Sequence, residues 1–200
     1  MESPTDRILE LTDRRGLVRA RDVAAAGIPT AYLTRLTRSG VLERVGRGLY
    51  GRPDTMRSPH VTLAEVARQV PKGVVCLVSA LRFHDLGNQR PHRVWLALPP
   101  HTTAPKTPRV ALEVVRMAPP MLAVGVQDVD IDGVPVRVFD PSKTIADLFR
   151  FRNRVGLDVA VEGLRAYWES PHRNVGALER YARIDRVATV LRPYLEAMAA

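Results

Sequence analysis

Glycine decides where the first fifty residues of this chain can be regular. Gly16, Gly27 and Gly40 interrupt runs that carry apolar side chains at helical spacing, and Gly46-Arg47-Gly48 separates two short extended runs. Ser3 is placed to cap a first helix, with Pro4 at its first position and Ile8 and Leu11 on one face before Gly16 ends it. A short second helix covers about 21–26, and Gly27 supplies the turn. A third runs over about 29–39 with Leu33 and Leu36 inward. Residues 41–45 and 49–50 then read as a hairpin on a three-residue turn. Helix, helix, turn, helix, hairpin is the order of a winged helix-turn-helix.

Charge adds a partner class. The 200 residues hold 30 Lys and Arg against 21 Asp and Glu, for a net charge of +9, which points to a polyanion. Only Lys72, Lys106 and Lys143 are lysines; the remaining basic residues are arginines, whose planar fork suits phosphate and guanine. An arginine-rich, Ala/Val-rich composition also follows from GC-rich coding DNA, so placement is the stronger clue. Between residues 14 and 52 stand Arg14, Arg15, Arg19, Arg21, Arg35, Arg38, Arg44, Arg47 and Arg52, against only Asp22 and Glu43. In a winged helix-turn-helix the last helix enters the major groove of double-stranded DNA. With Leu33 and Leu36 inward, Thr30, Ala31, Thr34, Arg35 and Arg38 face outward and Tyr32 lies at the margin. Arg35 is the expected base reader, and Thr30, Tyr32 and Thr34 suit phosphate or single base contacts. Arg38 helps position the helix. Arg47 at the hairpin tip and Arg44 on its first strand are expected on the backbone or in the minor groove, with Arg52 extending the track. The competing reading makes the third helix a plain surface helix with solvated arginines and Tyr32 a packing residue.

Residues 53–60, with two prolines and few apolar side chains, read as a linker, which divides the chain into domains 1–57 and 58–200. The second domain opens with a helix over 61–70, capped by Thr62 with Glu65 three residues on. A buried strand over 74–77 follows, then a short helix to 86 capped by Ser79, and strands over 94–98 and 111–117. Strands over 126–131 and 134–139 form a hairpin on Asp132-Gly133. Asp140 caps and Pro141 opens a helix with Ile145, Leu148 and Phe149 inward. Three more helices are anchored by Val161, Leu164 and Trp168, by Val175, Leu178 and Ala182, and by Val187, Val190, Leu191 and Tyr194, with Pro193 kinking the last. The fold class is therefore α/β (α+β): a winged helix-turn-helix followed by a mixed α/β domain with a helical C-terminus.

No catalytic set is readable. Asp128, Asp130 and Asp132 imitate the opening of a calcium loop, but Phe139 stands where a bidentate Glu is needed, and alternation with Val129 and Ile131 fits a solvated hairpin face. Residues 141–144 end like a phosphate loop but lack its glycines, so they are read as a helix start. His60, His84, His92, His101 and His172 show no metal-ligand spacing, Cys76 is expected as an inert buried thiol, and no cofactor is implied. Arg150, Arg152, Arg154 and Arg165 form a second basic cluster, either a solvated helix end or a contact with nucleic acid or an acidic partner. With no apolar run of about 20 residues and no secretory pattern at residues 1–6, no membrane span is expected and the location is cytoplasmic.

Three stretches resemble one family. The wing over 40–50, the strand running into Ser79-Ala80-Leu81, and the hairpin over 134–139 running into Asp140-Pro141-Ser142-Lys143-Thr144-Ile145-Ala146-Asp147-Leu148 look like the AbiEi-type antitoxins of type IV toxin–antitoxin operons, over about residues 5–165. The resemblance implies a winged helix that represses its own promoter at repeated elements and a C-terminal domain that supplies antitoxicity. It further implies a nucleotidyltransferase toxin encoded alongside, with no stable complex required. Two readings from other classes remain open on the residues alone. One is a metal-dependent nuclease built on the Asp128, Asp130 and Asp132 row. The other is a stand-alone regulator whose second domain is a ligand sensor or an oligomerisation module.

Overall fold

The computed structural model describes residues 3–53, 60–103 and 110–199. The expected linker over 53–60 and the division at residue 57 fall almost wholly outside the described residues. The chain forms two compact units, one comprising residues 1–65 with 130–135 and the other residues 66–129 with 136–200.

In the first unit, α1 (Pro4–Arg15) begins at Ser3, whose Oγ accepts from Asp6 N at 3.1 Å while the Asp6 carboxylate accepts from Ser3 N at 3.2 Å. This reciprocal pair satisfies two amides that the first turn otherwise leaves open. Then follow β1 (Leu17–Arg19), α2 (Ala20–Ala25), α3 (Ala31–Arg38), β2 (Glu43–Gly46) and β3 (Leu49–Gly51). The expected three helices and hairpin are present, and β1 is an addition. It pairs antiparallel with β3, Val18 opposite Tyr50, and completes a sheet in the order β1-β3-β2. Three residues carry no readable alternation, and their partner lies thirty residues away.

The next elements are α4 (Val61–Gln69), β4 (Val74–Val75), α5 (Leu77–Phe83), β5 (Val94–Leu98), β6 (Leu112–Arg116), α6 (Pro119–Leu122), β7 (Val126–Ile131) and β8 (Val134–Phe139). Five strands form one mixed sheet in the order β6-β5-β4-β8-β7, with β4 antiparallel to β5 and parallel to β8. The β7–β8 turn is the expected one: Asp132 and Gly133 both take positive φ, 52° and 73°, as a two-residue hairpin loop requires. Two expected caps are displaced. Leu63 N and Ala64 N both donate to the His60 carbonyl, so α4 starts at Val61 and Thr62 lies inside its first turn. Cys76, with extended backbone, stands at the start of α5; Ser79 lies within that helix and its Oγ accepts from Trp95 N at 2.9 Å. The strand expected over 74–77 is shortened accordingly.

The chain finishes as α7 (Pro141–Arg150), α8 (Arg152–Val155), α9 (Leu157–Glu169), α10 (Val175–Ile184) and α11 (Ala188–Ala199), the last running through Pro193. Asp140 caps α7 as expected, accepting from Lys143 N at 2.7 Å. On α9 the buried aromatic is Tyr167, while Trp168 is half-buried. The hydroxyl decides this: Tyr167 OH meets Ser142 Oγ at 2.9 Å and accepts from Asn174 N at 2.6 Å, partners a buried phenol needs.

Helix α7 is buried along its whole length from Pro141 to Phe149, polar residues included. Lys143, Asp147 and Asp185 are all 0–1% exposed. Lys143 Nζ donates to Asp147 Oδ1 and to both oxygens of Asp185, at 3.2 and 3.1 Å, and lies 4.9 Å from the centre of the Phe139 ring. Gly125 makes room for it: a Cβ there would sit 2.5 Å from Lys143 Cβ. Burial alone would push the lysine pKa down, but the two carboxylates outweigh it and hold the ammonium above its ordinary value. One cation cannot neutralise two buried carboxylates. Burial, with Lys143 opposing and Asp185 adding, raises Asp147 well above the usual carboxylate range, and Asp147 Oδ2 meets no hydrogen-bond partner among the described residues.

Removing Lys143 strands these carboxylates, so Lys143→Met should lower unfolding stability by about 3–5 kcal/mol in urea titrations. The native state keeps the Asp147 proton that an unfolded chain releases near 3.8. Stability from this group therefore falls as pH rises from that value towards the raised native one, and Asp147→Asn should flatten the fall across a series of urea midpoints.

Candidate nucleic-acid interface

The orientation of α3 is set by two residues. Leu33 and Leu36 are 1% and 5% exposed and pack with Ile8, Val18, Val23, Ile28 and Leu42. With that stripe fixed, Ala31, Thr34, Arg35 and Arg38 are exposed on the opposite side, together with Thr30 just before the helix. The helix begins two residues later than its sequence pattern suggests. Tyr32 N and Leu33 N donate to the carbonyls of Pro29 and Thr30, a tight turn that leads into the regular helix. Thr30 precedes the helix in αR conformation and its side chain makes no capping bond. Tyr32 is half-buried against the same core as Leu33. At the far end Ser39 Oγ donates to the Leu36 carbonyl, and Gly40 takes φ 72° to reverse the chain into the wing.

The wing stands on a small apolar cluster of Leu17, Val45 and Leu49, one residue from each strand. The register of β2 against β3 shifts between Arg44 and Gly46, and Val45 is buried. A bulge of this kind bends the strand and strengthens its twist. Gly48 closes the turn at φ 70° beside Arg47. Arg44 is exposed on β2, its Nε donating to the Gly46 carbonyl at 3.3 Å.

The arginines of this unit whose side chains are described fall into two groups. Arg14 pairs with Glu10 at 2.6 Å, Arg21 with Asp22 at 3.6 Å, Arg7 reaches the Ala26 carbonyl and Arg19 the Gly133 carbonyl. Arg52, expected to extend the basic track, is paired with Asp13 through two contacts of 2.7 and 2.9 Å. Arg35 and Arg38 on α3 and Arg47 on the wing make no ion pair or hydrogen bond among the described residues. A guanidinium without a carboxylate keeps its whole donor fork for a ligand.

The second unit treats its basic cluster differently. Arg152 donates to the Phe149 carbonyl at 2.8 Å, closing the end of α7. Arg154 pairs with Glu113 and stacks over Trp95, 5.5 Å from the ring centre. Arg150 and Arg165 are exposed. Asp128 and Asp130 lie on the exposed side of the β7–β8 hairpin, and Asp130 Oδ1 accepts from Gly133 N at 2.7 Å, an ordinary turn contact. Among the described residues no group of His, Cys, Asp and Glu is arranged to hold a metal ion, and no helix is long and apolar enough to cross a membrane. Cys76 is fully buried, and burial pushes its thiol pKa up, away from reactive thiolate.

Residues 6–53, which carry α1 to the end of the wing, match the family described as transcriptional regulator, AbiEi antitoxin. The similarity to the AbiEi antitoxin transcriptional regulators is thus carried by the N-terminal region, residues 6–53. No curated protein sequence matches the chain. The crystal structure of the Rv2827c protein from Mycobacterium tuberculosis is similar with a TM-score of 0.58 at 16% identity, covering 97% of this chain and 78% of that one. At that identity the likeness is one of fold. A transcriptional-regulator match over residues 6–53 implies DNA-binding regulation.

Arg35→Ala, Arg38→Ala and Arg47→Ala, which break no internal contact, should each change unfolding stability by no more than about 0.5 kcal/mol. Leu36→Ala should cost about 2–5 kcal/mol in the same urea titration, because it empties the core under α3.

Proposed function

We propose that this protein is a sequence-specific repressor of its own promoter and the antitoxin of a type IV toxin–antitoxin operon, with a nucleotidyltransferase toxin encoded beside it. The winged helix, residues 1–57, binds repeated elements in double-stranded DNA, and residues 58–200 supply antitoxicity, in the cytoplasm and without a lasting complex with the toxin. The observation that carries the DNA-binding part is the freedom of Arg35, Arg38 and Arg47 among the described residues, where Arg7, Arg14, Arg19, Arg21, Arg44 and Arg52 each contact the protein itself.

Arg35, near the middle of the exposed face of α3, donates twice to a guanine edge. Thr30 and Thr34, both exposed, contact phosphate or a single base, and Arg38 anchors the end of the helix on the backbone. Arg47 at the wing tip and Arg44 on its first strand grip the flanking backbone or minor groove. Tyr32 contributes the edge of its ring at the margin of the same face. Nothing in this arrangement calls for a metal or a cofactor: affinity comes from neutralised phosphates and specificity from base edges.

The test is binding of the full chain to its own upstream DNA and to scrambled DNA of equal length, by fluorescence anisotropy at several salt concentrations. Arg35→Ala should weaken the specific complex by about 1–3 kcal/mol and leave the scrambled one little changed. Arg47→Ala should weaken both and reduce the salt slope by about one. Binding that ignores salt, or an Arg35→Ala variant that still prefers the upstream DNA, contradicts the reading. Because antitoxicity is assigned to the second domain, the Arg35→Ala chain should still relieve growth arrest by the neighbouring toxin.

A further inference from the structure

Each base edge in the major groove calls for its own kind of side chain. Guanine accepts two donors and suits arginine or lysine, adenine suits the amide of Asn or Gln, and the amino group of cytosine suits Asp or Glu. Thymine alone carries an apolar group there, its C5-methyl, which an alanine or threonine methyl can cover. The exposed side of α3 therefore limits which bases it can tell apart.

That side holds Ala31, Thr34, Arg35 and Arg38, with Thr30 just before the helix and Ser39 just after it. No amide side chain and no carboxylate stands among them. The two arginines answer to guanine or phosphate. Ala31 opens the helix, the end whose residues contact base edges in a helix-turn-helix, and the one group its side chain offers is a methyl. Thr34 follows three residues on, so the two side chains are neighbours on the helix surface. The next hydroxyls along the chain are spent on the helix itself: Thr37 Oγ1 donates to the Leu33 carbonyl at 2.7 Å and Ser39 Oγ to the Leu36 carbonyl at 3.1 Å. Thr34 makes no such bond among the described residues, so its side chain is not tied back to the backbone.

Two neighbouring methyls at the leading end of the helix make a small apolar spot beside Arg35. Such a spot gains affinity by covering another apolar group, and in the major groove that group is the thymine methyl. We infer that Ala31 and Thr34 select a thymine by its C5-methyl, close to the guanine that Arg35 reads. The inference rests on the repressor reading above and adds to it which bases the bound sequence contains.

The test compares the full chain on three synthetic duplexes by fluorescence anisotropy: the upstream DNA, the same sequence with every thymine replaced by uracil, and a scrambled sequence. Uracil keeps the pairing edge of thymine and lacks only the methyl. Unmethylated synthetic DNA also excludes 5-methylcytosine, which carries the same group, so a loss on uracil belongs to thymine. Wild type should bind the uracil duplex about fourfold more weakly for each thymine methyl it covers. Thr34→Ser, which removes a methyl and keeps the hydroxyl, should lose less on uracil than wild type does, and Ala31→Gly with Thr34→Ser should bind the two upstream duplexes equally. A wild type that prefers the upstream DNA and loses nothing on uracil overturns this inference alone. So does a double variant that loses as much on uracil as wild type, since the methyl is then read elsewhere or through the shape of the duplex. A wild type with no preference for the upstream DNA overturns the repressor reading, and this inference with it.

Discussion

Two leucines three residues apart determine what the N-terminal unit can present to a partner. Leu33 and Leu36 are buried among side chains from α1, β1, α2 and the start of the wing, and that burial fixes the rotation of α3 about its axis. Once it is fixed, helical geometry leaves Thr34, Arg35 and Arg38 outward with no further interaction needed to aim them. The wing is held in a similar way by Leu17, Val45 and Leu49. The apolar core thus positions the polar face. The acidic residues of α1 and α2 then engage Arg14, Arg21 and Arg52, while Arg35 and Arg38 on α3 and Arg47 at the wing tip have no partner among the described residues.

The second unit is organised around a polar core. Lys143, Asp147 and Asp185 join α7 to the connection between α10 and α11 through bonds that water does not reach. A buried cluster of this kind adds little net stability compared with apolar packing, but losing one member leaves charge stranded. Ser142 bonded to Tyr167, and Thr144 bonded to the Phe139 carbonyl, extend the same scheme to other faces of α7. A helix with polar residues all round can be buried along its length only because each of these has a partner in place.

Local signals made much of the fold readable from the residues. Ser3 with Pro4, Asp140 with Pro141, Gly40 at the end of α3 and Asp132-Gly133 in its hairpin each act within a few residues, and each stands where its chemistry places it. What escaped depends on distant partners. Strand β1 exists because Gly51 and its neighbours pair with it. Arg52 is paired with Asp13, thirty-nine residues earlier. Ser79 serves the Trp95 amide rather than a helix end. Lys143 and Asp147 are spaced like an exposed helical ion pair, and only Asp185, forty-two residues on, reveals them as core. Tyr167 and Trp168 are adjacent aromatics, and the hydroxyl partners that select between them come from α7 and from the turn before α10.

The central claim, that α3 and the wing tip form the DNA-binding face of this protein, is tested most directly by amide NMR of the 15N-labelled full chain titrated with its own upstream duplex. Shifts concentrated on residues 30–38 and 46–48 are the result this account predicts. Saturable binding that leaves those amides unmoved while others shift would contradict it.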